Sequence, residues 1–194
     1  MIIGITGSIG SGKTTAAKMF SRHHYDRIDA DEIAHEIIDQ NKIVYEKIIN
    51  EFGSKILNKN KIIDRKKLGN VIFNDANKIK RLNSITHPII ISEIRNQIKK
   101  IKNECGKNAK IIVDAPLLLE TNAKDLIDRI IVVRTSKENI LKRLGEKHSK
   151  RQIERILKHQ MSLEEKLKHA DFVIDNNKNF SHMEKQITEI IKNL

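Results

Sequence analysis

A three-layer α/β fold, in which helices cover both faces of a parallel sheet of about five strands, is predicted by the order of patterns along these 194 residues. Short apolar runs alternate with longer segments in which apolar residues recur at helical spacing. The first run leads directly into a glycine-rich turn and a helix start. The predicted strands cover residues 2–5, 27–30, 111–114, 130–133 and 172–174.

The turn after the first strand contains the most specific pattern in the chain. Gly7 is followed, after four residues, by Gly12, Lys13 and Thr14, which is the spacing of a phosphate-binding P-loop. Glycines let backbone N–H groups curl around phosphate oxygens, Lys13 would bridge the outer phosphates, and Thr14 would offer its hydroxyl to Mg²⁺. The helix over residues 14–20 would point the positive end of its dipole at the same anion. The residues expected to bind a nucleotide here are Gly10, Ser11, Gly12, Lys13, Thr14 and Thr15.

The second and third predicted strands end in carboxylates. Asp29 and Asp31 close the second strand, and Asp114 closes the third. In open α/β sheets the ligand crevice lies at the carboxyl ends of the strands, so Asp31 is expected opposite the phosphates. An apolar strand ending in Asp often holds Mg²⁺ in a nucleotide site, directly or through water. The alternative for Asp29 or Asp31 is to cap the helix predicted from Glu32, and the two roles are compatible.

Residues 33–110 show helical spacing and no alternating strand pattern, so they predict a helical insertion. Asp64 is expected to cap one helix. Thr86, His87 and Pro88 are expected to start another, with Pro88 in its first turn. His87 at this corner is either structural or in contact with substrate. The first helix is predicted to carry Leu68, Val71, Ile72 and Phe73, and the second to bury Ile90, Ile94, Ile98 and Ile101.

Residues 134–168 form the most basic stretch of the chain, with eleven Lys or Arg against five Glu. Short charged helices between two core strands suit a lid, here residues 135–168, whose arginines would stabilise charge on a transferring phosphoryl group. The alternative for any one of these residues is a solvated basic face. Capping boxes that would start helices are Thr135 with Glu138, Ser149 with Gln152, Ser162 with Glu165 and, at the C-terminus, Ser181 with Glu184.

The length predicts one domain rather than two full-sized ones. Its core would comprise residues 1–32, 111–134 and 169–194, interrupted by the helical insertion and by the lid. A hydrophobic content of 39%, two prolines and eight glycines exclude collagen-like and low-complexity architectures. The single cysteine, Cys105, cannot form an internal disulfide. Without a leader pattern or an apolar run of membrane-spanning length, the chain is predicted to be cytoplasmic, with no membrane contact.

The net charge of +12 suits anionic phosphate substrates. Its basic residues are interleaved with acids, and the chain is rich in Ile, Lys and Asn together, which an A/T-rich coding bias would also produce. Aromatic residues make up only 4% of the chain. The aromatic platforms that usually bind single-stranded nucleic acid are therefore missing, and no nucleic-acid partner is predicted.

Several short motifs follow one another in a characteristic order. They are the P-loop over residues 4–15, Asp29-Ala30-Asp31, residues 82–88 ending in His87-Pro88, and residues 114–120 with the pattern Asp-x-Pro-Leu-Leu-x-Glu. Arg143, Arg155, Gln160, Glu165-Lys166 and residues 170–176 come later. This set resembles the dephospho-coenzyme A kinase family, within the nucleoside-monophosphate-kinase-like P-loop proteins. The resemblance covers nearly the whole chain; the P-loop alone is generic, whereas the ordered set is specific.

The resemblance implies a P-loop kinase that transfers the γ-phosphoryl group of ATP to the 3′-hydroxyl of dephospho-coenzyme A, the last step of coenzyme A synthesis. It implies that Asp31 is the catalytic carboxylate and that Thr6 and Arg143 join Lys13 at the reacting phosphates. The helical insertion would bind the acceptor, and Asp175-Asn176 would lie by the adenine. The implied acceptor-binding residues are Asp31, His87 and Asp114, the implied Mg²⁺ ligands are Thr14 and Asp114, and the implied cofactors are ATP and Mg²⁺.

The chain departs from the usual family pattern at Ser8, at His24, at Lys147 and at Asn177-Lys178. A lysine at position 147 keeps the charge of an arginine but loses its bidentate fork, and Asn177 is expected to tolerate left-handed backbone. Two other functions stay open on sequence grounds. One is a P-loop kinase acting on a nucleoside monophosphate or a similar acceptor, and the other is a basic P-loop NTPase that binds nucleic acid. The oligomeric state is not predicted.

Overall fold

The computed structural model describes residues 1–72, 75–146 and 149–194. The chain divides into two compact units, one formed by residues 1–30 and 95–194 and the other by residues 31–94. The division falls inside a helix, whereas the sequence places the end of the helical insertion at residue 110. Within the described ranges, no helix combines the length and apolar composition needed to span a membrane.

The first unit is built on a five-stranded sheet with the order β2-β3-β1-β4-β5. All neighbouring strands pair in parallel, so the predicted three-layer α/β fold is confirmed. The strand that precedes the glycine-rich turn lies in the middle of the sheet and is buried along its whole length, as parallel sheets covered on both faces require. The strands are β1 (Ile2–Thr6), β2 (Asp26–Asp29), β3 (Ile111–Asp114), β4 (Arg129–Arg134) and β5 (Phe172–Asp175).

The α-helices of the described residues agree with the predicted alternation of strands and helices. They are α1 (Lys13–Ser21), α2 (Ala30–Gln40), α3 (Lys42–Phe52), α4 (Arg65–Ile72), α5 (Ala76–Cys105), α6 (Lys137–Leu144), α7 (Lys150–His159), α8 (Leu163–Lys168) and α9 (Phe180–Lys192). Short 3₁₀ helices cover Ser54–Ile56, Gly106–Asn108 and Asn122–Leu126.

A hydrophobic core lies between one face of the sheet and the helices α1 and α9. Phe20 of α1 and Ile187 of α9 are fully buried there with Ile5 and Ile131 of the central strands. Complete burial of such a side chain stabilises the fold by about 1.5–3 kcal/mol, and this core therefore fixes α1 and the loop before it. The predicted start of α9 was wrong. Asn179, not Ser181, caps the helix by accepting a hydrogen bond from the backbone N–H of His182 (3.0 Å).

The second unit is helical, as the sequence predicts. Asp64 caps α4, because its Oδ1 accepts hydrogen bonds from the backbone N–H groups of Lys66 (2.9 Å) and Lys67 (3.1 Å). This confirms the predicted cap; Phe73, expected on the same helix, lies outside the described residues. The helix α2 begins at Ala30 instead of Glu32, which puts Asp31 in its first turn.

The prediction that a helix starts at Thr86 with Pro88 in its first turn was wrong, because Pro88 lies inside the 30-residue helix α5. A proline there removes the hydrogen bond to the carbonyl of Ser84, at a cost of about 3 kcal/mol. The hydroxyl of Thr86 donates to the carbonyl of Leu82 (3.0 Å), one turn away. Burial of apolar residues further along the helix offsets the cost, since Ile94 and Ile98 are buried and Ile90 and Ile101 are half-buried.

Three short helices occupy the described part of the region predicted as a lid. The complete capping box of Ser149 with Gln152 and the cap by Ser162 are confirmed. The start of α6 was predicted one residue too early, because Ser136 caps it through the backbone N–H of Asn139 (3.2 Å). Thr135 is buried instead, and its hydroxyl donates to the carbonyl of Asn176 (3.0 Å). Lys147 lies outside the described residues.

Candidate active site

The glycine-rich loop joins the central strand β1 to α1 and passes very close to Asn176. Gly12, the residue before α1, has a φ of 93°, in the left-handed region that favours glycine. A Cβ on Gly12 would lie 2.2 Å from Nδ2 of Asn176, so a larger residue does not fit. The same Nδ2 donates to the carbonyl of Ser11 (2.7 Å). Asn176, at the end of β5, is thereby fixed against the loop.

Arg143 of α6 holds the loop from another side. Its Nη1 donates to the carbonyls of Gly10 (3.2 Å) and Ser11 (3.3 Å), and its Nη2 donates to the carbonyl of Asn176 (2.8 Å). These bonds occupy loop carbonyl oxygens, which would otherwise repel an anion. The arrangement suits phosphate binding, because the partial positive charge of the N–H groups and of the α1 dipole is retained.

An open cavity of about 270 Å³ lies beside the loop. Its lining brings together residues from the loop, α1, α6 and the start of α9: Gly12, Thr15, Arg143, Asn176, Lys178, Phe180 and Met183. Three of the residues predicted to bind nucleotide, Gly12, Thr15 and Asn176, are therefore neighbours in space. The ring of Phe180, at the start of α9, is 49% exposed. Cationic and aromatic side chains together suit an anionic ligand that carries an aromatic base.

Two of the predicted carboxylates meet at the carboxyl ends of β2 and β3. Asp29 is the register partner of Asp114 in the parallel pair, and Arg27 forms an ion pair with both of them, reaching Asp114 Oδ2 at 3.1 Å. Asp114 is also the register partner of Ile5, so it lies at the edge of the sheet from which the loop leaves β1. Sequence reasoning missed Arg27, because an arginine inside a short edge strand carries no local signal for such a role.

The residues at this edge fit a Mg²⁺ ion. Oδ1 of Asp114 is buried and has no hydrogen-bond partner among the described residues, whereas Arg27 binds the other carboxylate oxygen. Thr14 is half-buried in the first turn of α1. The described part of the chain contains no group of three or more His, Cys, Asp or Glu side chains suited to a metal. Mg²⁺ is commonly held by one or two carboxylates together with substrate phosphates, and this donor set is of that kind.

A buried lysine lies beneath the loop. Lys166 of α8 is 0% exposed, and its Nζ donates to Glu120 Oε1 (2.9 Å) and to the carbonyl of Pro116 (2.8 Å). Burial lowers the pKa of Lys166, the Glu120 carboxylate raises it, and the charge of Lys13 lowers it further, with a net lowering from the ordinary value. The sequence placed Lys166 in a basic stretch typical of solvated surface, and only the Glu165-Lys166 match to the family motifs singled it out.

Thr6 is fully buried at the end of β1, where the loop begins. Its hydroxyl lies 3.2 Å from the carbonyl oxygen of Pro116, to which it donates, and 3.4 Å from Nζ of Lys166. The Thr6 hydroxyl therefore forms its hydrogen bonds with Pro116 and with the buried Lys166.

Two of the residues predicted on the acceptor side, Asp31 and His87, belong to the helical unit, whereas the third, Asp114, ends β3. Asp31 is exposed in the first turn of α2, and His87 is half-buried within α5 instead of standing at a helix start. This unit has a cavity of about 280 Å³ of its own, lined by Ile33, Glu36, Ile37, Gln40, Asn41, Ile89 and Glu93.

Two departures from the family pattern have structural outcomes. His24 has a φ of 62°, so a bulky residue occupies the left-handed conformation in which a glycine often ends the first helix. Asn177, which was expected to tolerate left-handed backbone, does not need it here; among the described non-glycine residues only His24 and Lys61 have positive φ. The Asn177 side chain fixes the turn instead, since its Oδ1 accepts from the backbone N–H of Ser136 (2.7 Å).

The fold and this site define a class of protein. A glycine-rich loop with Lys13 and Thr14 at the start of a helix follows the central strand of a parallel sheet. Arg143, from a basic segment, donates hydrogen bonds to that loop, and the carboxylate of Asp114 ends the neighbouring strand β3. This is the arrangement of P-loop enzymes that act on nucleoside triphosphates.

The particular family follows from comparison with known proteins. The family model described as dephospho-CoA kinase matches residues 1–182, and the chain belongs to that family. A dephospho-CoA kinase of Carboxydothermus hydrogenoformans is 40% identical over 193 residues, which cover 98% of this chain and 93% of that one. A dephospho-CoA kinase of Fusobacterium nucleatum is 42% identical over 190 residues, with coverage of 96% and 95%.

Solved structures agree with this assignment. A dephospho-CoA kinase from Campylobacter jejuni is 34% identical, has a TM-score of 0.65, and is covered over 96% of its length by 99% of this chain. A shikimate kinase from Acinetobacter baumannii, with a TM-score of 0.55, is 14% identical with coverage of 99% and 91%, and shows likeness of fold alone.

Proposed function

We propose that this enzyme transfers the γ-phosphoryl group of ATP to the 3′-hydroxyl of dephospho-coenzyme A, producing coenzyme A and ADP in the last step of coenzyme A synthesis. The observation that carries the proposal is the family match over residues 1–182, together with full-length relatives named for this activity. The phosphate-binding loop supplies the physical basis, because it is held by Arg143 and Asn176 in a form suited to a polyphosphate.

On the nucleotide side, the backbone of residues 10–15 would bind the phosphates, and Asn176 would lie near the adenine. Lys13 and Arg143 would neutralise charge on the transferring group. The transition state of phosphoryl transfer is loose and spreads charge over the equatorial oxygens, so positioning and electrostatic stabilisation supply most of the catalysis. In this proposal Thr6, buried between Pro116 and Lys166, supports the loop from beneath.

The residues that would hold Mg²⁺ are Thr14 and Asp114, the latter directly or through water. The ion would neutralise the phosphate oxygens as charge develops on them. The contribution of the protein itself is the fixed carboxylate of Asp114. One of its oxygens is bound by Arg27, and the other has no hydrogen-bond partner among the described residues.

On the acceptor side, Asp31 would orient the 3′-hydroxyl and accept its proton, with His87 and Asp114 as further contacts to the acceptor. Asp31 follows the end of β2 by two residues, in the first turn of α2. Because bond breaking to the leaving group leads the reaction, orienting the hydroxyl matters more than removing its proton early. The helical unit of residues 31–94 would bind the remainder of the acceptor.

We further propose that the enzyme acts in the cytoplasm, where its triphosphate substrate is found, and that it has no nucleic-acid partner. Cell fractionation tests the first proposal. Titration of duplex and single-stranded DNA, followed by fluorescence anisotropy at two salt concentrations, tests the second.

A coupled assay for ADP release, run with a panel of acceptors, tests the proposed reaction. We expect dephospho-coenzyme A to stimulate ATP consumption and AMP, GMP, UMP and duplex DNA to leave it at the basal rate. Mass spectrometry of the product should show one added phosphoryl group at the 3′ position. Equal stimulation by a nucleoside monophosphate would assign the chain to that class of kinase instead. Stimulation by DNA alone would make it a nucleic-acid-dependent NTPase.

A further inference from the structure

We propose that Lys166 and Glu120 form a buried positioning pair that holds the phosphate-binding loop in the geometry required to bind ATP. The role concerns the nucleotide half of the proposed function and rests on it. Neither residue is among those to which the proposed mechanism assigns catalysis or ligand binding. The inference starts from the position of Lys166, whose side chain is fully buried although it belongs to a basic helical segment.

A buried ammonium group is costly, and lysines are almost never fully buried unless they are paired. A buried ion pair is also weak support for stability, since apolar residues of similar volume are often as good or better. Packing alone therefore does not explain a lysine at this position. The contrast with Lys168 is informative, because Lys168 lies on the same helix and forms an ordinary exposed ion pair with Glu165 (2.8 Å).

The ammonium group of Lys166 connects α8 to two other segments, the turn after β3 and the end of β1. It donates to the carbonyl of Pro116 (2.8 Å) in the turn after β3, and it pairs with Glu120 (2.9 Å). It also lies 3.4 Å from the hydroxyl of Thr6. Thr6 directly precedes Gly7, the first residue of the phosphate-binding pattern. Lys166 thus fixes the point at which the loop leaves β1.

A second set of bonds ties the same segment to the loop itself. Glu120 Oε1 accepts a hydrogen bond from the backbone N–H of Met161 (2.9 Å). The neighbouring side chain of Gln160 accepts one from the backbone N–H of Ile9 (3.1 Å), within the loop. The segment from Gln160 to Lys166 therefore supports the loop both at its first residues and beneath the end of β1. Loss of the buried pair should remove the support at Thr6, beneath the end of β1.

The electrostatics agree with this geometry. The charge of Lys13 contributes to lowering the pKa of Lys166, so the two ammonium groups lie close enough to interact. A second positive charge beneath the loop, partly balanced by Glu120, favours a polyphosphate above it. A displacement of about 1 Å in such a site can reduce the rate roughly 100-fold.

The test is a double variant, Lys166→Met with Glu120→Gln, which removes both charges and leaves no buried ion without its partner. Gln at position 120 retains an oxygen that can accept the N–H of Met161. The matched control is Lys168→Met with Glu165→Gln, the same change in the exposed pair of the same helix. Each protein is assayed for kcat, for KM of ATP and of dephospho-coenzyme A, for ATP affinity by calorimetry without acceptor, and for thermal unfolding.

We expect the buried double variant to lose about tenfold in ATP affinity and about 10- to 100-fold in kcat, since its loop is no longer pre-organised. Its KM for dephospho-coenzyme A should stay within about threefold of wild type, and the control should match wild type in all respects. A purely structural role would lower the active fraction and the melting temperature without raising the KM for ATP.

The inference is overturned if a folded buried double variant binds and turns over ATP as wild type does. An equal loss in the control would overturn it too, because the effect would then belong to the general charge of α8. If the double variant does not fold, Lys166→Arg and Glu120→Gln are assayed singly; unchanged ATP affinity in both would also reject the inference. The two proposals can fail separately. If the variant binds ATP more weakly than wild type, but the wild-type enzyme does not phosphorylate dephospho-coenzyme A, the positioning pair is supported and the proposed acceptor is refuted.

Discussion

Arg27 separates two carboxylates that would otherwise repel each other at the ends of β2 and β3. It pairs with both Asp29 and Asp114, whose side chains are only 10% and 2% exposed. The Asp29 carboxylate is therefore occupied by an ion pair inside the sheet. Asp31 is the member of the Asp-Ala-Asp motif that lies past the end of the strand. At the scale of single residues, this division supports different roles for the two motif carboxylates.

Replacement of Asp31 by Asn should therefore affect chemistry and not folding. We expect kcat to fall by about 10²- to 10⁴-fold, the range of a general-base contribution, with ATP binding and the melting temperature nearly unchanged. Steady-state kinetics beside nucleotide titration measure this. Asp29→Asn serves as the comparison and should lower the melting temperature, because it disrupts the ion pair with Arg27. A kcat for Asp31→Asn within a few-fold of wild type would leave Asp31 as a residue of the helix start only.

Helix α6 donates hydrogen bonds to the loop through Arg143, and its apolar residues Ile140 and Leu144 lie next to Gly10. Arg143 donates to three backbone carbonyls, two in the loop and one at the end of β5. Such a fan of bonds needs the planar fork of a guanidinium, which an ammonium group does not reproduce. The element thus links the basic segment, the loop and β5 through one arginine.

Arg143→Lys should keep the charge and lose this linkage. We expect kcat/KM for ATP to fall by about 10- to 100-fold, which corresponds to roughly 1.4–2.7 kcal/mol of lost transition-state stabilisation. The neighbouring exposed residue Lys142 offers a matched control, and Lys142→Arg should be neutral. Kinetics at varied ATP would show the difference. Full activity of Arg143→Lys would mean that positive charge alone suffices at this position.

The ends of β4 and β5 are joined by a carboxylate whose titration depends on folding. Burial raises the pKa of Asp175, but the hydrogen bonds from the Asn177 backbone and from Arg134 outweigh it, so the pKa lies below its ordinary value of 3.8. Because the carboxyl has a lower pKa in the folded state than in the unfolded state, it stabilises the fold at any pH above its unfolded-state pKa. This contribution is lost as the pH falls through the lower pKa of the folded state.

Unfolding experiments between pH 7 and pH 2 test this linkage with Asp175→Asn. We expect the variant to be less stable than wild type at neutral pH, and the difference to shrink below about pH 4 as the wild-type carboxylate becomes protonated. Glu189→Gln, an exposed change on α9, is a control for the loss of one negative charge. A stability difference that is independent of pH would contradict the assigned cause.

In the molecule as a whole, the residues proposed to bind the nucleotide all belong to the unit formed by residues 1–30 and 95–194. The unit of residues 31–94 contains Asp31 and His87. The proposed function therefore assigns ATP to the sheet-containing unit and most of the acceptor to the helical one. ATP alone should bind without the acceptor.

Thermal unfolding with ATP tests this assignment. ATP at about 100 times its Kd should raise the free energy of unfolding by about 2.7 kcal/mol in the absence of acceptor. Lys13→Ala should unfold at the wild-type temperature without ligand, lose most of the stabilisation by ATP, and lose far more in turnover than in folding. Near-normal turnover in this variant would refute the assignment of the loop as the phosphate site. A wild-type protein that ATP stabilises only when acceptor is present would refute the division between the two units.

Local patterns in the sequence predicted the five strands, the helical insertion, the caps at Asp64 and Ser149 and the phosphate-binding loop. Each depends on residues within a turn or a strand of one another, and for this reason apolar periodicity and motif spacing report them. Where two neighbouring polar residues compete for a cap, as at Thr135 and Ser136, the local pattern does not decide. The Thr135 hydroxyl donates hydrogen bonds to Asn176 and Asn177 and is buried by them, and the backbone N–H of Ser136 donates to Asn177. Ser136 is therefore the residue left to cap the helix.

Packing in the folded chain produced three features that local patterns did not predict: the burial of Lys166, the pairing of Arg27 with two carboxylates and the continuation of α5 through Pro88. The partners of Lys166 lie 46 residues away at Glu120 and 160 residues away at Thr6, so no window of sequence contains the cluster. Helix propensity alone favours a break at Pro88, and burial of Ile94 and Ile98 outweighs it. Local sequence was enough to predict the chemistry that the chain carries, because the residues of each motif are contiguous. Packing between distant segments determined which charged side chains support that chemistry from the interior.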